Sequence, residues 1–327
     1  MVRRNYAAAV LGGLMLVSSL AGCGDSGSSG SEGGDDKLVL GFSQVGAESG
    51  WRTANTKSIQ DSAAAAGIEL KFSDAQGKQE NQISAIRSFI TQKVDVIAFS
   101  PVVTSGWDAV LKEAKDAGIP VILTDRAVDS QDTSLYASFI GSDFVEEGKK
   151  AGEWLVAETK GKTEPVNIVE LQGTTGSAPA LDRQKGFAEV IAANPNLKIV
   201  KSQTGDFKRA DGKTVMETFL QSVPDIDVLY AHNDDMGLGA IEAIEAAGKK
   251  PGTDIKIITV DAVKDGMTAL ADGKINFIVE CSPLLGPQLM ELAQKVDKGE
   301  TVEKRVLTKE TTFTQEQAKT ELPNRQY

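Results

Sequence analysis

Ten short, nearly continuous runs of Val, Ile, Leu and Phe are spaced along the chain, with helical periodicity between them. The runs are Leu38–Ser43, Ile68–Ser73, Val94–Ser100, Ile119–Thr124, Leu135–Ile140, Val166–Leu171, Leu197–Ser202, Val228–Ala231, Ile255–Val260 and Ile275–Glu280. Strands covered on one face alternate apolar and polar residues, whereas unbroken apolar runs suit strands buried on both faces. The intervening segments supply the cover. In Asn81–Gln92, Ile83, Ile86, Phe89 and Ile90 recur at helical spacing. Trp107–Ala117, Asp143–Thr159, Ala180–Ala193, Lys213–Gln221 and Met236–Ala247 behave alike, and Gly67, Gly118 and Gly248 stand at helix-stop positions. Repeated β-α-β units give parallel sheets with helices on both faces. Ten strands are many for one twisted sheet, so two sheets of five or six strands are expected.

The ends of the chain set its surroundings. Arg3 and Arg4 precede an apolar stretch, Ala7–Leu20, that is too short and wrongly flanked for an ordinary membrane span. Leu20-Ala21-Gly22-Cys23 follows, resembling the lipobox of bacterial lipoproteins, in which the Cys is lipidated and becomes the new N-terminus. Residues 1–22 are therefore read as a lipoprotein signal peptide, Cys23 as the lipidation site and residues 23–36, rich in Gly and Ser, as a flexible tether. Removing residues 1–22 takes away two Arg and no acid, moving the formal charge from −11 to −13. So acidic a chain is ill suited to nucleic acid or to an anionic lipid surface. With Cys23 lipidated, Cys281 is the one remaining thiol, so no internal disulfide is expected and stability must come from the core.

In open parallel sheets, ligands bind beyond the carboxyl ends of the strands. The residues ending the runs are Ser43, Asp74, Ser100, Asp125-Arg126, Gln172, His232-Asn233-Asp234 and Asp261. Helix capping explains such residues equally well one by one, but no helical pattern starts after Asp125-Arg126. Together with Glu48, Arg52, Arg183 and Glu280, they supply carboxylates that accept and guanidiniums that donate, often in pairs. A sugar hydroxyl does both at once, so a neutral polyhydroxyl ligand suits the set. Trp51, read as part of a Gly50-Trp51-Arg52 loop, offers a flat face for the C–H side of a ring. Signals for an enzyme are weak. His232 is the only His, no G-x-S-x-G elbow is present, and Gly173-Thr174-Thr175-Gly176 is not a phosphate loop. No catalytic residue, metal site or cofactor is assigned.

These residues resemble the sugar-binding proteins of bacterial ABC importers, of the ribose-binding type I periplasmic-binding-protein class. The resemblance rests on Gly41–Gly46 with Glu48–Arg52, Asp125-Arg126, Leu181–Phe187, Tyr230–Met236 and Val260-Asp261, and covers Leu38 to Tyr327. Within the class, the Glu48–Arg52 and Ala231–Met236 segments most resemble the galactofuranose-binding members. Ala262 and Gly237 stand where the class commonly has Gly and Ala. The Glu280-Cys281-Ser282 stretch is less typical.

The resemblance implies two doubly wound α/β lobes joined by a three-segment hinge. The first would comprise residues 37–140 and 280–303, the second 141–279 and 304–327, with crossings near Ile140, Val279 and Lys304. It implies that Glu48, Ser49, Gly50, Trp51, Arg52, Asp125 and Arg126 face a monosaccharide from the first lobe. Arg183, Asn233 and Asp261 would close from the second, with Ser43, Ser100 and Glu280 as secondary candidates. Function would then be ligand-driven closure and docking on ABC permease subunits by a monomer, held on the extracytoplasmic face of the membrane through its lipid alone. In a Gram-negative cell that place is the periplasm. A sugar sensor feeding a chemoreceptor or sensor kinase is the alternative. A sugar-responsive transcription regulator shares the fold, but residues 1–36 hold an export signal and tether where a DNA-binding segment would stand.

Overall fold

A computed structural model describes residues 37–327. The expected signal peptide, tether and lipidation at Cys23 lie outside the described residues.

Each of the ten apolar runs contains or overlaps a strand. In the first lobe these are β1 (Val39–Gln44), β2 (Glu69–Asp74), β3 (Val96–Phe99), β4 (Val121–Thr124) and β5 (Ser138–Gly141). In the second they are β6 (Val166–Gln172), β7 (Leu197–Thr204), β8 (Val228–Ala231), β9 (Lys256–Asp261) and β10 (Phe277–Glu280). Two short strands near the C-terminus, β11 (Arg305–Leu307) and β12 (Thr312–Phe313), complete two six-stranded sheets. Their orders are β2-β1-β3-β4-β5-β11 and β7-β6-β8-β9-β10-β12. All pairings are parallel except β10 with β12.

The helices are α1 (Gly50–Ala65), α2 (Gln79–Thr91), α3 (Asp108–Asp116), α4 (Phe144–Glu158) and α5 (Ala178–Ile191), then α6 (Arg209–Ser222), α7 (Asp234–Ala246), α8 (Lys264–Ala271), α9 (Gly286–Asp297) and α10 (Gln315–Glu321). Every residue of β3, β4 and β8 is buried, because helices cover both faces of these strands. The edge strand β2 has no buried residue and β7 has only Leu197 buried. In the first lobe, Phe42, Ile59 and Ile122 pack with Leu289 of α9 on one face, and Ile86, Phe99 and Leu111 pack on the other. Each such side chain contributes about 1.5–3 kcal/mol on burial. In the second lobe, α4 and α5 cross at Gly148 and Gly186. A Cβ at Gly148 would lie 2.2 Å from the Arg183 carbonyl oxygen, and one at Gly186 2.1 Å from that of Val145. That close approach sets Arg183 against Glu147.

The chain passes between lobes three times. Because Glu280 ends β10 and pairs with Asp261, it belongs to the second sheet, and the second passage runs over residues 281–285. The third passage also comes later than the expected Lys304. Arg305–Leu307 pairs with β5 in the first sheet, and Thr312–Phe313 with β10 in the second, so the crossing falls at residues 308–311. Three and two residues are too short to leave an apolar signature, and Leu307 is exposed. The first passage occupies residues 142–143.

Candidate functional site

The carboxyl ends of the two sheets face one another across a cleft. Glu48, Ser49, Trp51, Arg52, Asp125 and Arg126 line it from the first lobe. Pro179, Arg183, Phe207, Asn233 and Asp261 line it from the second, and Cys281 from the second passage.

Two carboxylates, the half-buried Glu48 and the buried Asp125, organise the first lobe's side. Glu48 Oε1 accepts from Arg126 Nη2 at 2.6 Å and Arg52 Nε at 3.3 Å. Asp125 Oδ2 accepts from Arg52 Nη2 at 2.6 Å and Ser100 Oγ at 3.1 Å. Ser100 thus stands behind the lining. Ser43 is fully buried and is not among the lining residues. The expected loop at 50–52 is the first turn of α1, capped by the Ser49 hydroxyl, which accepts from Arg52 N at 3.1 Å. That turn fixes Trp51, whose indole Nε1 donates to the Cys281 carbonyl at 2.7 Å and whose ring lies 4.7 Å from the Arg52 guanidinium.

On the second lobe, Arg183 is held at three points. Nε donates to Glu147 Oε2 at 2.7 Å, Nη1 donates to the His232 carbonyl at 2.6 Å, and Nη2 lies 4.0 Å from Asp261 Oδ1. Asn233 both caps α7, accepting from Met236 N at 3.0 Å, and lines the cleft. Its amide nitrogen donates to the Phe207 carbonyl at 3.1 Å. The capping and cleft readings of this residue are therefore both geometrically true. His232 does not line the cleft. Its Nε2 lies 3.2 Å from Glu170 Oε1, and Ser202 donates to the other oxygen of Glu170. The carboxylate stands between hydroxyl and imidazole, the reverse of a nucleophilic triad's order.

Glu280 is placed away from the cleft. Its carboxylate meets Arg325 Nη1 at 2.8 Å and the Tyr327 hydroxyl at 3.2 Å. Side chains alternate along an extended strand, so Cys281, one residue on, takes the cleft side. Gly50 is not a lining residue either; its N–H donates to Asp235 Oδ2 of the other lobe at 2.7 Å. Thr104 N donates to the Gly176 carbonyl at 2.9 Å, a second bond between lobes.

Pro179, Phe207 and Cys281 have no counterpart in the sequence expectations. Phe207 lies in the turn after β7, whose strand exit carries the same information as those that were read. Its ring centroid is 5.3 Å from the Arg126 guanidinium and 6.0 Å from that of Arg183. Asp125, Phe207 and Asp261 have φ of 60°, 61° and 124°, a region disfavoured for residues other than glycine. Such strain persists only where the surroundings over-determine it, and it clusters at functional sites.

Two polar atoms of the lining are buried without a hydrogen-bond partner, Asp261 Oδ2 and Arg126 Nε, the latter 3.7 Å from Asp125 Oδ2. Burial pushes the Asp261 carboxyl well above the ordinary carboxylate range against the pull of Arg183. Burial also lowers the affinity of Arg126 for its proton, with Glu48 opposing and Arg52 adding to the effect. An unpaired buried donor and an unpaired buried acceptor facing one space mark a site that a hydroxylated molecule completes.

A family model described as a periplasmic binding protein domain matches residues 40–301. The chain belongs to the periplasmic binding protein family. Its two lobes, three passages and interlobe cleft are that family's architecture in this sequence. This binding protein is 51% identical to the galactofuranose-binding protein YtfQ of Escherichia coli (strain K12), over 87% of this chain and 90% of that one. A Mycobacterium smegmatis protein solved in complex with β-D-fucofuranose is 70% identical, with a TM-score of 0.88, covering 89% and 95% of the two chains. The binding component of the arabinose ABC transporter of Shewanella sp. ANA-3, solved with α- and β-L-arabinofuranose, is 50% identical. Its TM-score is 0.85, over 88% and 96% of the chains.

Proposed function

We propose that this protein is the extracytoplasmic receptor of an ABC sugar importer, lipid-anchored through Cys23, and that it binds one furanose-ring monosaccharide between its lobes. The observation that carries the reading is the unpaired Asp261 Oδ2 and Arg126 Nε within one cleft. A ring hydroxyl donating to Asp261 and another accepting from Arg126 would satisfy both. Closely similar proteins hold fucofuranose and arabinofuranose, which supports the five-membered ring.

The mechanism follows from the division of the site. Glu48, Arg52, Asp125 and Arg126 bind a sugar on the first lobe; Arg183, Asn233, Phe207 and Asp261 reach it only when the second lobe swings in. The sugar therefore stabilises the closed arrangement by its contacts with both. Phe207 presents a flat apolar face to the C–H side of the ring, and the buried ion pairs hold the guanidiniums in place before the sugar arrives. Docking of the closed form on the permease delivers the ligand.

A thermal-shift screen of the purified protein with D-galactose, D-fucose, L-arabinose, D-fructose and D-ribose tests the reading. A ligand at 100 times its dissociation constant adds roughly 2.7 kcal/mol of stability, an unmistakable shift. Galactose, fucose or arabinose should stabilise most, and silence from all five would overturn the sugar assignment.

A further inference from the structure

The three passages between the lobes meet in one partly buried cluster, with Ser142 and Cys281 buried and Ser282, Thr308 and Glu310 half-buried. Ser142 comes from the first, Cys281 and Ser282 from the second, and Thr308 and Glu310 from the third. Glu310 Oε1 accepts from all three: Ser142 Oγ at 2.5 Å, Ser282 N at 3.0 Å and Thr308 Oγ1 at 2.9 Å. Ser142 Oγ also lies 3.4 Å from Cys281 Sγ. Ligand atoms of Glu147, Cys281 and Glu310 lie within 4.8 Å of one another. Glu147 gives Oε2 to Arg183, while its Oε1 is buried without a hydrogen-bond partner. The cluster thus runs from the hinge to a guanidinium lining the cleft.

We propose that this cluster is a proton-operated clasp, in which a proton on the Glu147–Glu310 pair holds the three passages together and favours the closed lobes. The proposal rests on the sugar-binding reading for its affinity readout. Two carboxylates and a thiol share this space, and among the described residues only Arg183 is ion-paired to either carboxylate, so one negative charge too many is present when both acids ionise. A proton on Glu147 Oε1 removes that charge and turns the unpartnered oxygen into a hydrogen-bond donor within the cluster. Lobe rotation twists all three passages, parts Glu310 from its donors and admits water, after which the proton is no longer favoured.

The titrating behaviour agrees in sign. Burial pushes the Glu147 carboxyl up to about 8, with Arg183 opposing and Glu310 adding to the rise. Burial likewise raises Glu310, against the hydrogen bonds from Ser142 and Ser282. The other groups facing Glu147 are Tyr230 of β8, Asp261 of β9 and Cys281. Lys150, one turn on in α4, donates to the Glu310 carbonyl oxygen at 3.3 Å. An acid raised in the closed form stabilises that form fully below its open-form value and loses the contribution as pH climbs to about 8.

The experiment is calorimetric titration of the full chain with D-galactose, whose solution equilibrium contains the furanose, from pH 5.5 to 8.5. X-ray scattering of the ligand-free protein across the same range accompanies it. The wild type should take up a proton on binding and lose affinity about tenfold from pH 6 to 8, one-proton linkage allowing no more than tenfold per unit. Its radius of gyration should grow over the same range. Glu147→Gln, which carries the donor permanently, should flatten both profiles, and Glu310→Gln, which removes the second charge, should flatten them independently. Galactose binding whose pH profile is unchanged in both variants overturns the clasp and leaves the sugar reading intact. Absence of galactose binding at every pH counts against the sugar reading, and the scattering profiles then decide the clasp alone.

Discussion

Gly50 at the start of α1 and Asp235 at the start of α7 are joined across the two lobes, amide nitrogen to Oδ2 at 2.7 Å. The other oxygen of Asp235 meets Arg209 Nε at 3.2 Å, which fixes the carboxylate's orientation. A charge-assisted bond of this kind is worth about 1.5–3 kcal/mol, and it exists only with the lobes together. Asp235→Ala should therefore weaken sugar affinity by about tenfold or more through faster dissociation, with thermal stability of the sugar-free protein nearly unchanged. Stopped-flow release of the sugar measures it, and an unaltered off-rate contradicts the closure role.

Arg126 and Asp261 contribute the two unpaired atoms of the cleft, so changes there should act on binding above all. Arg126→Ala also strips Glu48 of its 2.6 Å partner, leaving a half-buried carboxylate with Arg52 alone. Asp261→Asn keeps the side chain's shape while removing an acceptor. Loss of a buried polar partner costs about 1–3 kcal/mol, more where charge is involved. Both variants should lose more than about a hundredfold in affinity while far-ultraviolet circular dichroism stays that of the parent. Unchanged titration curves in both would remove these residues from the site.

Gly173 makes room for Phe207: a Cβ built on it would stand 1.8 Å from the Phe207 ring. Gly173→Ala must displace that ring, and with it the plate between Arg126 and Arg183. Overpacking of this kind costs about 1–3 kcal/mol. We expect a lower melting temperature together with at least tenfold weaker binding, and partial recovery of stability in Gly173→Ala combined with Phe207→Leu. Full affinity in the single variant would show that the ring position is immaterial.

Tyr230 is buried on β8 of the second lobe's sheet, stacked on Phe187 at 4.2 Å, and its hydroxyl has no partner. An unsatisfied buried hydroxyl opposes folding, whereas its removal leaves the stack in place. Tyr230→Phe should raise stability by about 1 kcal/mol in denaturant unfolding. A loss of stability would reveal a partner for the hydroxyl.

The strands were readable because burial on both faces writes itself as unbroken apolar runs, and β3, β4 and β8 are the purest cases. What escaped was set by other causes. The first turn of α1 reads as a loop in the sequence because its start signal is one capping serine, Ser49, ahead of Gly50 and the bulky Trp51. β11 and β12 are too short to have a period at all. In the candidate site, charged strand exits such as Asp125-Arg126 and Asp261 announced themselves chemically. Phe207 and Cys281 are apolar lining residues that composition alone files with the core. Glu280 shows the opposite failure: the right chemistry on the wrong face of β10, a matter of one residue's alternation.

The late segment that gives β11 to one sheet and β12 to the other governs the order of assembly during synthesis. The first lobe cannot close its sheet edge until Leu307 has left the ribosome, nor the second until Phe313 has, so the two halves finish within a few residues of each other. A release from translation a few dozen codons early would leave both lobes with an open edge, and a partner's strand could then enter either one.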